Sequence, residues 1–236
     1  MKLPIAKQLK KQSQVQIAFL QDEIVDILYS LTDDLIFHGG TAIWRCYQGK
    51  RFSEDLAFYS LSFPDIMTEF QKSVMSHGLS VPIIEDTGNV IFSSIRNNDA
   101  MIRVEVDHVS DVTGNQMKYE LTDGSHVEVL SLTADQFINE KILAYTDRRY
   151  IRDIYDIYHI STNFQLQALT KQNLMEFLSN LPQPIDEPIL RTLVYTGLAP
   201  TFENMIREMK RRIRCGKCHK CPLCSGDQYK PKFSHL

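Results

Sequence analysis

The residues best suited to chemistry are two adjacent glycines and a carboxylate that follows them in the chain. Gly39 and Gly40 come directly after a short apolar run and before a segment with the pattern of a helix beginning near Thr41. Glycines let backbone N–H groups approach phosphate oxygens closely, and the start of a helix attracts anions. Asp55 follows, and carboxylate oxygens are the ligands that Mg²⁺ prefers. Together they predict a site for a phosphorylated ligand and its metal ion.

Apolar residues alternate with other residues along the segment 51–59, which predicts a strand that contains Asp55. Successive side chains of a strand point to opposite faces, so residues two apart share a face and can share a metal ion. Ala57 stands next to Asp55 on that face, where a second carboxylate ligand would be expected. The apolar face consists of Phe52, Leu56 and Phe58, and the other face consists of Arg51, Ser53, Asp55 and Ala57.

The elements that must position these residues indicate an α/β fold of the α+β type. Apolar side chains at the helical period predict a helix over 14–30. Thr133 and Gln136 have the spacing of a capping box that opens a helix, and helical patterns dominate from there on. We therefore expect a mixed sheet with flanking helices, followed by a helical C-terminal half. Strands are predicted at 34–38, 51–59, 90–96, 101–109 and 127–132.

Two parts of the sequence resemble a known family. The segments 37–45 (FHGGTAIWR) and 51–58 (RFSEDLAF) are similar to the glycine-glycine and Asp-x-Asp signature of the DNA polymerase beta nucleotidyltransferase superfamily. They resemble most closely the AbiEii-type nucleotidyltransferases, which are known as toxins of toxin-antitoxin systems. A second signature of that family, a lysine-led helix followed by R-D-x-x-D, is matched from Glu140 to Tyr158. The resemblance covers roughly residues 35–160. This sequence departs from the family pattern at Ala57, where the family has a second aspartate.

The resemblance implies roles for particular residues. Mg²⁺ would be held by Asp55, by the residue at position 57 and by Glu105, which we favour over Asp107 because the family carries an acid between aliphatic residues in that strand. Alternatively, Glu105 or Asp107 could belong to a solvated strand face. The triphosphate and the rest of the nucleotide would be bound by Gly39, Gly40, Thr41, Arg51, Ser53 and Lys141, with Asp147, Asp153 and Asp156 fixing Arg148, Arg152 and the base or sugar.

Ala57 admits three explanations. The alanine could be an engineered change that silences a toxic enzyme, the explanation that we favour. The chain could instead be a natural pseudoenzyme, or another acid such as Glu54 could compensate. Because Glu54 is expected on the opposite face of the strand, the third explanation is the weakest. A two-metal site that lacks one carboxylate ligand should lose most of its activity.

The C-terminal segment combines cysteines with positive charge. From Arg207 onward the chain has nine Lys or Arg residues against two acids, a charge of +7, on a chain whose net charge is −3. Such a segment favours a polyanionic partner such as RNA, or it is a solvated helix end without a partner. Four thiolates suit Zn²⁺, and the compact spacing also fits an iron–sulfur cluster, disulfides or a disordered tail. The four cysteines are Cys215, Cys218, Cys221 and Cys224.

The remaining predictions concern organisation and function. No apolar run approaches the ~20 residues of a membrane span, so we expect a cytoplasmic protein that does not bind membranes. We predict a nucleotidyltransferase domain at 1–132, a helical domain at 133–208 that completes the nucleotide site, and a metal-binding tail at 209–236. The resemblance implies nucleotide transfer from an NTP to an RNA acceptor, such as the tRNA 3′ end, by a toxin with a cognate antitoxin. The alternatives are a non-catalytic protein that binds NTP or RNA, and a nucleotidyltransferase for small molecules.

Overall fold

The computed structural model describes residues 3–215, in which a seven-stranded mixed sheet is the central element. The strand order is β3-β4-β5-β2-β1-β7-β6. The pairs β2–β5 and β1–β7 are parallel, and the other neighbours are antiparallel. This confirms the predicted α/β fold with a mixed sheet. The strands are β1 (Ile36–His38), β2 (Leu56–Tyr59), β3 (Ser80–Asp86), β4 (Val90–Arg96), β5 (Met101–Asp107), β6 (Asn115–Glu120) and β7 (His126–Ser131).

Helices flank this sheet and fill most of the chain after β7. The predicted helix over 14–30 is the second of them, and the capping box at Thr133 and Gln136 opens the fifth. A 3₁₀ turn at Glu187–Ile189 precedes the eighth. The helices are α1 (Ile5–Gln8), α2 (Gln12–Leu31), α3 (Gly39–Cys46), α4 (Phe63–Ser76), α5 (Ala134–Arg148), α6 (Ile151–Asn163), α7 (Ala168–Ser179), α8 (Leu190–Leu193) and α9 (Phe202–Cys215).

The two faces of the sheet differ in chemistry. On one face Phe37 and Phe58 stack with ring centroids 4.8 Å apart, and Tyr29 of α2 meets the edge of Phe58. Aromatic pairs of this kind add to the large apolar area that such side chains bury. Helix α4 packs on α2, so both helices cover this face. The opposite face carries His38, Ala57 and Glu105 and lies open toward α5.

Several elements differ from the prediction. The predicted strand at 51–59 is regular only from Leu56, and Arg51 forms an isolated bridge to Val194 instead. Helix α3 begins at Gly39 itself rather than near Thr41. The sequence patterns also missed α4, α7 and the two edge strands, of which β6 is polar and lacks clear alternation. Edge strands are less buried than central strands, so the alternation of apolar and polar residues in their sequences is weak.

Two further predictions concern membrane helices and domains. No helix of residues 3–215 is long and apolar enough to cross a membrane. The sheet ends at Ser131 and α5 begins at Ala134, close to the predicted boundary at 132–133. One apolar core nevertheless contains side chains from both sides of that boundary. The division into domains stays a prediction.

Candidate functional site

The turn between β1 and α3 is shaped by two glycines that other residues would disrupt. Gly39 has a φ of +74°, and a Cβ added there would lie 3.3 Å from the Cβ of Ala57. A Cβ at Gly40 would overlap the guanidinium of Arg51 and lie 2.7 Å from Oγ of Ser53. Glycine is therefore required at 39 by conformation and at 40 by close contact. Both glycines line a cleft of about 260 Å³.

Three adjacent strands bring the candidate acids together on the open face of the sheet. His38 of β1 is the cross-strand partner of Ala57 in β2, and Ala57 is the partner of Glu105 in β5. Cross-strand partners project from the same face, so these side chains form a row. Asp55 precedes β2 and lines the same cleft. Burial, and then the charge of Asp55, raise the pKa of Glu105.

The donor set suits Mg²⁺ in kind but lacks one carboxylate. Asp55 and Glu105 offer the hard oxygen ligands that Mg²⁺ prefers, and their mutual repulsion is the condition that a bound cation relieves. Among residues 3–215, however, no group of three or more His, Cys, Asp or Glu side chains could hold a metal ion. The position between the two acids is Ala57. A carboxylate there would lie in the same row as Glu105.

The opposite wall of the cleft is cationic and comes from α5 and α6. Lys141, Arg148 and Arg152 line it. The ammonium of Lys141 lies 2.7 Å from Oε1 of Glu140, the preceding residue. Arg152 places its guanidinium 5.3 Å from the ring centre of Tyr150 and forms no ion pair within the described part of the chain. Arg152 is thus available to an anion from this side, whereas Lys141 is paired with Glu140.

His38 connects the two walls. Its Nδ1 is 3.2 Å from Oε2 of Glu140, its Nε2 is 3.4 Å from Oδ2 of Asp107, and its ring stacks on Tyr59 with centroids 3.8 Å apart. Burial lowers the pKa of His38, but hydrogen bonds with Asp107 and Glu140 raise it above its ordinary value. Burial alone would raise the pKa of Glu140, but Lys141 and His38 bring it far below its ordinary value.

Two ion pairs fix the arginines of the site. Arg51 binds Asp156 through two nitrogens, at 2.7 and 2.6 Å, and both side chains are buried. Arg148 binds Asp153 in the same way, at 2.9 and 2.8 Å. The expected pairing of Asp156 with Arg148 or Arg152 is therefore not formed. Asp156 lies one turn beyond Asp153 on α6, which brings it to the segment before β2 rather than to α5.

The cleft gathers most of the predicted site residues but not all. Thr41 is buried and donates to the carbonyl of Asp55 at 2.5 Å, so it supports that residue rather than the cleft. Asp147 is exposed on α5 and does not line the cleft. The sequence analysis missed His38, Tyr59, Glu140 and Ala144, which do line it. The positions of His38 beside Gly39 and Glu140 beside Lys141 were the available signals. The predicted residues in the cleft are Gly39, Gly40, Arg51, Ser53, Asp55, Ala57, Glu105, Lys141, Arg148 and Arg152.

The cysteine cluster cannot be placed. Cys218, Cys221 and Cys224 lie outside the described residues, and of Cys215 only the helical backbone is described. The predicted Zn²⁺ or iron–sulfur site therefore stays a prediction. The remaining cysteine, Cys46, is buried, and burial raises the pKa of its thiol to about 12.

Replacing Gly40 with alanine should disturb the cleft. Arg51 cannot move aside to admit the methyl group, because Asp156 holds its guanidinium. We expect a loss of about 1–3 kcal/mol in the free energy of unfolding, as for other overpacked sites. Urea unfolding measures it. Gly40, unlike Gly39, does not have a positive φ, so backbone strain does not contribute, and a Gly40→Ala variant as stable as the parent would contradict the steric account.

Glu140 should make the stability depend on acid pH. A carboxyl group whose pKa is lowered by folding stabilises the protein above its ordinary pKa of 4.5, and this stabilisation is lost as the pH falls below that value. The parent should therefore melt at a higher temperature than Glu140→Gln at pH 7, and the difference should shrink between about pH 5 and pH 3. Thermal unfolding of both proteins across this range tests it, and a constant difference would contradict it.

Comparisons with known proteins identify a family and similar folds. Residues 26–211 match the family model described as nucleotidyl transferase AbiEii toxin, type IV TA system. A search of curated proteins gave no match. Among solved structures, MenT4, a nucleotidyltransferase toxin from Mycobacterium tuberculosis H37Rv, is similar with a TM-score of 0.60 and 15% identity, over 85% of this chain and 82% of that one. JHP933 from Helicobacter pylori has a TM-score of 0.60 and 17% identity, over 86% and 91%. At these identities the structures support the fold alone.

Proposed function

Because this chain belongs to the AbiEii family of nucleotidyl transferase toxins of type IV toxin-antitoxin systems, we propose that it transfers a nucleotide from an NTP to an RNA acceptor, the 3′ end of a tRNA. One observation carries the proposal. The Gly39–Gly40 turn, the acids Asp55 and Glu105, and the ammonium of Lys141 all line one cleft. Such a cleft can hold a triphosphate between backbone donors, carboxylates and a cation.

Different residues of the cleft would have different roles in this reaction. The first N–H groups of α3 and the side chain of Ser53 would bind phosphate oxygens, and Lys141 and Arg152 would bind them from the other wall. Asp55 and Glu105 would hold Mg²⁺, which neutralises the charge that develops on the phosphates. An acceptor hydroxyl releases its proton to solvent as its oxygen bonds to the α-phosphorus, the bond from the α-phosphorus to the α,β-bridging oxygen breaks, and pyrophosphate leaves. The protein's contribution is positioning and electrostatics.

RNA is the acceptor that the charge distribution favours. Helix α9 carries a row of basic residues that continues into the lysines of the C-terminal segment. Arg211 and Arg212 pair with Glu208, which neutralises part of this charge, and both arginines remain exposed. Cations of this kind set the affinity for a phosphate backbone. In our proposal a metal bound by the four cysteines would hold the lysines in place.

Family membership also implies an antitoxin as the cognate partner of this toxin. We propose further that the chain as written is catalytically impaired, because Ala57 leaves the Mg²⁺ site without one ligand. That same observation favours a second candidate function, a non-catalytic protein that binds NTP or RNA. A small-molecule acceptor is the third candidate, and the basic C-terminal segment argues against it.

The acceptor is tested with the Ala57→Asp variant, Mg²⁺ and each α-labelled NTP in turn. Total tRNA, ribosomal RNA and a pool of aminoglycosides are supplied separately. Our proposal predicts label in tRNA, removed by a 3′ exonuclease. Label in the aminoglycosides would instead support the small-molecule function, and NTP binding without transfer would support the binding protein.

Lys141→Met in the same variant should reduce transfer to tRNA by about 100-fold, because the triphosphate loses a charge-assisted contact in the transition state. Lys72→Met is the matched control, since Lys72 is exposed on α4, on the far face of the sheet. It should leave the rate unchanged. Initial rates of label transfer measure both effects. Equal rates for Lys141→Met and the control would contradict a role of Lys141 in the site.

A further inference from the structure

Glu140 is a partly buried carboxylate, 20% exposed, that lies between two cationic groups at the edge of the cleft. Its Oε1 is 2.7 Å from Nζ of Lys141, and its Oε2 is 3.2 Å from Nδ1 of His38. No predicted role accounts for this residue. Its two oxygens are committed to groups from two different elements, α5 and β1. It therefore sets the charge at the point where the helix meets the glycine turn.

The contact between Glu140 and Lys141 is not a product of helix geometry. Adjacent residues on a helix diverge and do not face each other. Both side chains must bend toward the cleft to meet, and the Lys141 side chain is only 6% exposed. Within residues 3–215, Glu140 is the acid with which Lys141 forms an ion pair. Glu140 thus neutralises the charge of Lys141.

We propose that Glu140 is the internal counter-ion of Lys141, which holds the ammonium and gives it up when a triphosphate or pyrophosphate binds. The inference rests on the proposed function, in which Lys141 receives the triphosphate. Glu140 competes with the ligand for the lysine and repels its phosphates. It thereby limits the affinity for the substrate and keeps the product pyrophosphate from remaining bound.

Two effects of Glu140 oppose each other, and their magnitudes decide the outcome. The carboxylate orders the Lys141 side chain, which favours binding by reducing the entropy that the ligand must remove. It also places a negative charge beside phosphates that carry several, in a cleft partly shielded from solvent. At such distances the free energy of repulsion between charges exceeds the free energy gained by ordering one lysine side chain. Removing the charge should therefore tighten the binding of polyphosphates.

The test is isothermal titration of the full chain and of Glu140→Gln with inorganic tripolyphosphate, pyrophosphate and each ribonucleoside triphosphate, in the presence of Mg²⁺. Glutamine keeps the shape of the side chain and an oxygen that can accept from Lys141. We expect affinity for tripolyphosphate and pyrophosphate to rise by about tenfold or more. Glu69→Gln removes the same charge from an exposed position of α4 and should change nothing.

Two further variants separate this role from a structural one. Glu140→Asp keeps the charge and should bind as the parent does, apart from a small loss of stability. In a Lys141→Met background, Glu140→Gln should raise affinity by a smaller factor than in the parent, because the competition for the ammonium is gone and only the repulsion of the phosphates remains. For transfer by the Ala57→Asp variant, Glu140→Gln should lower KM for the NTP without raising kcat, since release of pyrophosphate slows.

The outcomes distinguish this inference from the proposed function. If the parent binds an NTP and Glu140→Gln binds it equally or more weakly, the counter-ion role is wrong and the proposed function stands. If neither protein binds an NTP or tripolyphosphate, both are wrong. If Glu140→Gln does not fold, as judged by its melting transition, then tighter pyrophosphate binding by Glu140→Ala is required, and its absence overturns the inference.

Discussion

Replacing Arg51 with methionine should destabilise the protein by about 3–5 kcal/mol. Arg51 and Asp156 form a two-nitrogen ion pair in which both side chains are buried. Burial lowers the pKa of Arg51, but the charge and hydrogen bonds of Asp156 raise it. Without the guanidinium, Asp156 remains a buried charge without compensation, and this causes most of the loss.

The effect of Arg51→Met is measured by urea unfolding, with the change in midpoint at constant slope as the readout. Arg191→Met, at an exposed position of α8, is the matched control and should fall within about 0.5 kcal/mol of the parent. The double variant Arg51→Met, Asp156→Leu should recover part of the lost stability, because it removes both charges. A single variant as stable as the control would show that the pair does not hold the cleft together.

Restoring a carboxylate at position 57 should raise nucleotide transfer by about 100-fold or more, the scale on which groups that stabilise transition-state charge act. Position 57 lies in the row between His38 and Glu105, on the face that lines the cleft. An aspartate there completes a set of three carboxylates with Asp55 and Glu105. The measurement is the initial rate of pyrophosphate release in the presence of NTP and tRNA.

The stability of Ala57→Asp should also depend on Mg²⁺. A third acid beside two others is repelled in the absence of a cation, so Ala57→Asp should melt below the parent without Mg²⁺. Added Mg²⁺ should raise its melting temperature more than that of the parent, because a ligand that binds only the folded state stabilises it. Ala57→Asn is the matched control, because asparagine has nearly the same size as aspartate but no charge. If the asparagine variant responds to Mg²⁺ as strongly as the aspartate variant, the predicted site is wrong.

Helices and strands could be predicted from the sequence where apolar residues recur regularly on one face or where a cap marks the end of the element. Helix α2 has an apolar stripe at the helical period, and α5 begins with a capping box, so both were found close to their observed bounds. Strand β4 was found with its observed bounds because its buried and exposed residues alternate. Strand β6 is polar at the edge of the sheet and was missed. The start of α3 at Gly39 could not be foreseen, because a glycine pair usually ends an element rather than opening one.

The site could be predicted as a set of residues but not as a set of partners. The sequence places Gly39, Asp55 and Lys141 in one function through the resemblance, and all three line the cleft. It does not reveal that Arg51 is bound to Asp156, because that contact joins segments 105 residues apart. For the same reason the link from His38 to Glu140 was missed. Partners across the fold depend on packing, which residue spacing does not encode.

The measurement that tests the central claim most directly is the transfer of label from each α-labelled NTP to total tRNA, with the chain as written, Ala57→Asp and Ala57→Asn compared in Mg²⁺. We predict that only Ala57→Asp labels the RNA, at its 3′ end. No label from any of the three proteins, all folded by their melting transitions, would contradict nucleotide transfer to tRNA. Equal labelling by the chain as written would contradict the role assigned to position 57.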